Sequence, residues 1–275
     1  MTALLGFEWL KLRHRWMPRL VVLGSGGLII VAFLLLLSAN DSESGNLFLP
    51  RAWLAALSFS TFLAPFFWPV VGASWAGNEY DWGTIRAILT RRPDRIAHVL
   101  AALAVLVVGV GVGILAILLA GTFGGIVTSL LRGGEFMTAD VLSDTFLAAL
   151  LEGGLTAWYV SGFYLLVAYA AATVARSAAV GVGFALGATL AQYLLRSILS
   201  GLGPPWTDIA ARFPIVYANS LITRVVGPQL LPGTSLATAR AYEPAVTDSL
   251  LALALYAAVC LAVTLVAVRT RDVTA

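Results

Sequence analysis

The side chains that most often carry catalysis are scarce in this chain and badly placed for it. There is one cysteine, Cys260, and there are two histidines, His14 and His98. A lone cysteine excludes a disulfide framework and a Cys-rich metal site, and two histidines leave little material for zinc or haem. The only lysine, Lys11, follows Trp9-Leu10 without a glycine loop, so the phosphate-cradling G-x-x-x-x-G-K-[ST] motif is absent. H-E-x-x-H is absent as well, and neither histidine lies deep in an apolar block, where a Ser–His pair for intramembrane proteolysis would need one. Every Asp and Glu sits at or outside the edge of an apolar block, which leaves proton coupling without a mid-membrane carboxylate. The chain therefore reads as a non-enzyme that binds no cofactor or metal of its own; energy, if used, comes from a partner.

The elements that hold these residues follow from composition. Of 275 residues, 60% are hydrophobic and 11% charged, with a mean hydropathy of +0.91. Soluble domains carry about 25% charged residues, and even a domain of roughly 300 residues buries only about 75% of its chain surface. Disordered chains are polar and charged, the reverse of this one. A bilayer is the solvent that fits. The net charge of +3 and pI near 9.2 do not indicate nucleic acid, because the arginines lie at the edges of apolar blocks rather than in one patch.

A helix needs about 20 apolar residues to cross the ~30 Å hydrocarbon core. The long charge-free stretches are 20–40, 52–78, 96–131, 153–175, 177–195 and 249–268. They are continuously apolar, which selects helices over a barrel. The fold class is all-α: a single polytopic membrane domain over 1–275. Its six transmembrane helices lie near 20–40, 52–78, 96–120, 153–175, 177–200 and 248–268. With both termini placed in the cytoplasm, eleven Lys and Arg fall inside against six outside, and five acids inside against nine outside. Net charge is then +6 inside and −3 outside, as the positive-inside rule requires. The first apolar run is too long for a cleavable signal's ~7–15-residue core.

Residues 1–19 read as an interfacial amphipathic helix. Leu5, Trp9, Leu12 and Trp16 recur at helical spacing on one stripe, with Glu8, Lys11 and Arg15 on the other face and Pro18 closing the segment. The competing reading is a plain basic anchor. Pro65 and Pro69 predict a kink in the second span. Residues 79–95 form the most informative loop: Thr84 can cap a short helix, Ile85, Ile88 and Leu89 form an apolar ridge on it, and Asp94 can cap the third span. A solvated loop of topogenic arginines is the alternative; the ridge favours a docking element. Gly109-x-x-x-Gly113, Gly121-x-x-x-Gly125 and Gly183-x-x-x-Gly187 predict close helix packing, within or between chains. Residues 139–152 read as a surface helix. Residues 201–247 read as an external segment whose pieces 213–223 and 225–239 are too short to span and suit re-entrant or interfacial helices. Arg196, near the outer end of the fifth span, reads as a snorkelling side chain.

This layout resembles the permease subunits of bacterial type-2 ABC exporters over essentially the whole chain. Glu8-Trp9-Leu10-Lys11 is similar to the family's E-x-x-K opening before the first span. Glu79, Gly83, Thr84, Arg86 and Leu89 fall in register with the first part of the pattern E-x-x-x-G-T-x-R-x-x-L…P-x-x-R of bacitracin-type permeases, and Pro93 and Arg95 are similar to its ending, although here they stand two residues apart instead of three. One departure is that many relatives carry a lysine shortly after the final arginine, where this chain has His98.

The resemblance implies a permease of the bacterial plasma membrane that works as a pair, homo- or heterodimeric, with two separate ABC ATPase subunits that bind ATP and Mg. It implies an ATPase-coupling interface at Glu79, Gly83, Thr84, Ile85, Arg86, Ile88, Leu89, Arg92 and Arg95. The interfacial helix of Leu5, Glu8, Trp9, Lys11, Leu12 and Trp16 would support that interface among membrane lipids. No nucleic-acid partner is implied, and members export drugs, peptide antibiotics, lipids and glycans. A non-transport membrane anchor or sensor subunit is the alternative, and an ion-independent channel a third. The topology has a direct test. In a Cys260→Ala background, cysteines placed at Thr90 and Thr234 are expected to react with an impermeant thiol reagent from opposite sides of the membrane; labelling from one side defeats the six-span topology.

Overall fold

A computed structural model describes residues 2–39, 47–83, 94–132, 144–225 and 244–270. Among the described residues the chain is all-helical. A short helix α1 (Thr2–His14) precedes α2 (Trp16–Ala39), α3 (Arg51–Asp81), α4 (Arg95–Arg132), α5 (Asp144–Ala175) and α6 (Ala178–Gly201). Two short helices, α7 (Trp206–Ala210) and α8 (Pro214–Val225), then lead to α9 (Val246–Thr270). Six of these, α2 to α6 and α9, are long and apolar enough to cross a membrane. The protein is polytopic and membrane-embedded.

Several boundaries differ from the sequence reading. The first helix ends at His14 and the chain breaks at Arg15, so Trp16 belongs to α2 rather than to the interfacial helix of 1–19. Pro18 does not separate the two helices. It lies in the first turn of α2, where a missing N–H costs no helical hydrogen bond. Pro65 and Pro69 lie inside an unbroken α3 and are both buried there. The third span, expected near 96–120, continues to Arg132; its 38 residues are ~57 Å long at 1.5 Å per residue. Residues 144–152 are not a separate surface helix but the first turns of α5. In both cases hydropathy marks where lipid begins, whereas backbone hydrogen bonding carries the helix past that point. Asp144 in the opening turn suits a helix N-terminus.

The centre of the bundle is α3, which packs on α5, α6, α4 and α2. Its buried face includes Leu54, Leu57, Trp68, Val71 and Trp75, joined by Leu106 and Ile117 of α4 and Leu165 of α5. The closest approaches need glycine. A Cβ on Gly72 would stand 2.2 Å from the Leu165 carbonyl oxygen, and one on Gly77 would stand 2.1 Å from the Ala178 nitrogen. The 109/113 and 121/125 pairs also pack inside the chain, on Leu12 and Trp68 and on Ala56 and Ala52, whereas Gly183 and Gly187 meet nothing within 4 Å.

Polar handles of aromatic residues join the spans: Trp53 Nε1 donates to Thr122 Oγ1 at 2.8 Å, Trp158 Nε1 to the Val107 carbonyl at 2.8 Å, and Tyr159 Oη to the Leu250 carbonyl at 2.9 Å. The outer faces of α2, α6 and α9 leave Leu23, Leu194 and Leu251 about two-thirds exposed, as helices in lipid allow. Between α5 and α6, Arg176 takes a left-handed φ of 57°, and Ser177 N–H donates back to the Ala172 carbonyl at 3.2 Å, a Schellman-type close. Asp81 Oδ2 then accepts from Ala178 N–H at 3.2 Å, so the end of α3 caps the start of α6. In the 201–247 segment, α8 packs against α9 and α5, and Ser220 and Ser249 hydroxyls meet at 2.7 Å.

The glycine contacts are testable. Gly77→Ala has to displace backbone, and overpacking typically costs ~1–3 kcal/mol; a clear drop in the melting temperature of the purified protein is expected. Gly162→Ala, whose Cβ meets nothing within 4 Å, is expected to leave it unchanged or raise it slightly.

Candidate functional site

The middle of α1 and the facing ends of α3 and α4 bring charged residues together in the interior. Glu8 comes from α1, Glu79 from the last turn of α3 and His98 from the first turn of α4. All three are buried, Glu8 with no exposed surface at all. Lys11, one turn after Glu8, lies between the two carboxylates: its Nζ is 3.1 Å from Glu8 Oε2 and forms a short ion pair with Glu79 Oε1. Trp75 Nε1, one turn before Glu79 on α3, donates to Glu8 Oε2 at 2.9 Å. The Lys11 ammonium also stands 4.7 Å from the Trp75 ring centroid.

His98 completes the cluster. Its Nε2 is 3.0 Å from Glu79 Oε2, and its Nδ1 faces Glu8 Oε1 at 3.8 Å without a hydrogen-bond partner. Against an ionised carboxylate Nε2 is the donor, so in the neutral ring Nδ1 is the bare nitrogen. Arg15, in the break between α1 and α2, donates to the Ser74 carbonyl at 3.4 Å and lies 4.8 Å from the Trp75 ring centroid. Burial holds its guanidinium below the ordinary value, with Glu79 and then Glu8 pulling the other way. Two carboxylates thus face two cations, with a histidine bridging the carboxylates.

Glu8, Glu79 and His98 each offer a ligand atom within 4.8 Å of one another, a spacing at which three such atoms could share a metal ion. Lys11 already touches both carboxylates, so the chain's own ammonium sits where a bound cation would. The group contains no nucleophile beside a base; what the arrangement does is hold three elements together by compensated buried charge.

The structure also locates the other residues singled out above. Glu8 and Lys11 do not lie on a solvated face of α1. They face the bundle, while Trp9 on the apolar stripe is 45% exposed. The reason is that Glu79 and His98 offer partners that water would otherwise supply. Leu5 is half-buried, Leu12 packs on Gly109, and Trp16 is exposed on α2. Gly83 follows the end of α3 with φ 66°, the left-handed region that glycine enters without steric cost. Asp94 accepts from Ala97 N–H at 3.0 Å and caps α4. Arg95 donates to the Val268 carbonyl at 3.3 Å, tying α4 to the end of α9. Thr84, Ile85, Arg86, Ile88, Leu89 and Arg92 lie outside the described residues.

Sequence reasoning missed Trp75 and the role of His98. Both had a signal. Trp75 stands four residues before Glu79 and so shares its helix face. Glu79 and His98 sit at the two ends of one loop between consecutive spans, which brings them to the same end of neighbouring helices.

Removing one partner of a buried pair strands the other, at a cost of ~3–5 kcal/mol. Lys11→Met and Glu79→Gln are each expected to lower thermal stability strongly. The double variant is expected to lose less than the two single losses added together, because each single change leaves the same interaction broken. Strictly additive losses in melting experiments would show that the two side chains do not interact.

Residues 4–192 match the family described as "ABC-2 family transporter protein". No curated protein matches the chain. The family match takes in α1 and the described residues from α2 through the first half of α6, including every member of the buried cluster. The chain belongs to the ABC-2 family of transporter proteins and is a membrane-spanning component that such transporters pair with ABC ATPase subunits.

Proposed function

We propose that this chain is the permease subunit of an ATP-driven exporter of the bacitracin-permease type. It works as a pair of permeases in the bacterial plasma membrane, with both termini in the cytoplasm. Two ATPase subunits, which hold the ATP and Mg, dock on the loop of residues 79–95. The observation that carries this reading is the buried Glu8–Lys11–Glu79–His98 cluster. It joins α1 to the two helices that flank that loop, so α1, α3 and α4 move as one piece when the loop is pushed. A coupling element needs such rigidity, because a force applied at the loop would otherwise dissipate in local bending.

Within the loop, Ile85, Ile88 and Leu89 supply the apolar contact to the ATPase, and Arg86 and Arg92 its basic rim. Gly83 turns the chain out of α3 and Arg95 anchors the loop's far end on α9. Burying one aliphatic side chain is worth ~1.5–3 kcal/mol. Ile88→Asp is therefore expected to weaken ATPase docking at least about tenfold, since ~1.4 kcal/mol is one decade. Arg91→Ala and Arg92→Ala are expected to do less, as exposed ion pairs contribute only about 0–1 kcal/mol. Co-purification of the ATPase and transport-coupled ATP hydrolysis are the measurements. Retention of both by a folded Ile88→Asp protein would remove this loop from the coupling mechanism.

A further inference from the structure

A cleft of about 510 Å³ lies between α1, α2, α3 and α4, and no member of the buried charge cluster lines it. Its walls are apolar: Val22 of α2, Trp68 of α3, and Val112 and Ala116 of α4 are among them. Val112 is about half exposed and Leu23 on the opposite wall 70% exposed, so the cleft opens sideways into the space that lipid fills. Arg13 and Arg19, both exposed, contribute its only charged groups. Arg19 donates to the Arg13 carbonyl oxygen, which draws the two side chains' segments together. Neither guanidinium has a carboxylate partner among the described residues. Trp9 at the cleft is an exposed aromatic of the kind that settles at the headgroup level.

We infer that this cleft is a binding site for an anionic phospholipid of the leaflet in which α1 lies. One acyl chain occupies the apolar groove, and the phosphate sits between Arg13 and Arg19. The assignment rests on complementarity. The groove admits a flexible hydrocarbon chain from the side, its volume falls within the ~300–1,000 Å³ of ligand sites, and two guanidinium forks at its end, without a carboxylate partner among the described residues, suit phosphate oxygens. A neutral lipid would leave both arginines without an anion. A soluble phosphate would leave the groove empty of the chain that its walls call for.

The test uses the full chain purified in detergent, supplied with equal amounts of phosphatidylglycerol and phosphatidylcholine, with the retained lipid read by native mass spectrometry. Phosphatidylglycerol is expected to be retained about tenfold over phosphatidylcholine, the equivalent of about 1.4 kcal/mol. In the Arg13→Gln/Arg19→Gln variant, whose changes are on exposed side chains, the preference is expected to vanish. Arg196→Gln, a cation remote from the cleft, is expected to keep it. Ala116→Phe fills the groove and is expected to lose the retained lipid with both arginines intact, its melting temperature confirming the fold.

Equal retention of the two lipids by the native chain would overturn the site, as would a preference that survives Arg13→Gln/Arg19→Gln. Unchanged retention by Ala116→Phe would show headgroup attraction at the surface and no acyl groove. Displacement of the lipid by excess inorganic phosphate alone would show that the arginines bind a free anion instead.

Discussion

Lys11 brings a positive charge into a place that water scarcely reaches, and the arrangement of the helices at that end of the bundle follows from how the charge is answered. Glu8 comes from its own helix and Glu79 from α3, while His98 of α4 bridges the two carboxylates. Taken singly, each of these groups would be costly to bury; together they compensate. The value of such a cluster lies in specificity more than in net stability. Helix α1 has one position in which Glu8 and Lys11 both find partners, and in that position Leu12 also meets Gly109 and Arg15 lies over Trp75. A shift of α1 by one turn would strand two carboxylates.

The bilayer imposes the complementary constraint. Apolar side chains may face outward at little cost, so they no longer tell the interior from the exterior. The interior is marked instead by smallness and by polar satisfaction. Gly72 and Gly77 let α3 approach α5 and the start of α6 at backbone distance. The indoles of Trp53 and Trp158 and the phenol of Tyr159 find hydroxyl or carbonyl partners on neighbouring spans. Asp81 capping α6 and Arg95 bonded to the end of α9 extend the same economy of partners to the helix ends. Helices α3, α4, α5, α6 and α9 are thus joined near the loop that precedes α4.

Much of this was legible in the amino-acid sequence. Charge-free runs of about 20 residues set the number of spans, because a bilayer core of ~30 Å admits little else. Glu8, Lys11 and Glu79 stood out as charges beside apolar blocks. Hydropathy also misled where it was pressed further. It ended the third span near residue 120 and began the fourth at 153, although helical hydrogen bonding runs to Arg132 and from Asp144. Helical periodicity drew Trp16 into the first helix, although the break falls at Arg15.

Only the tertiary structure decided which face of α1 turns inward. On a helical wheel Glu8 and Lys11 form the polar side, and an isolated helix at an interface would give that side to water. Here α3 and α4 present a carboxylate, an indole N–H and an imidazole at one point, and those partners replace water. Similarly, glycine spacing announced close packing without naming its partners, and the structure assigned Gly109 to Leu12 and Gly125 to Ala52 while leaving Gly183 open. Periodicity and hydropathy are properties of one segment, so they determine spans. Pairing of buried charges depends on which segments meet, and that is settled by the packing of the whole bundle.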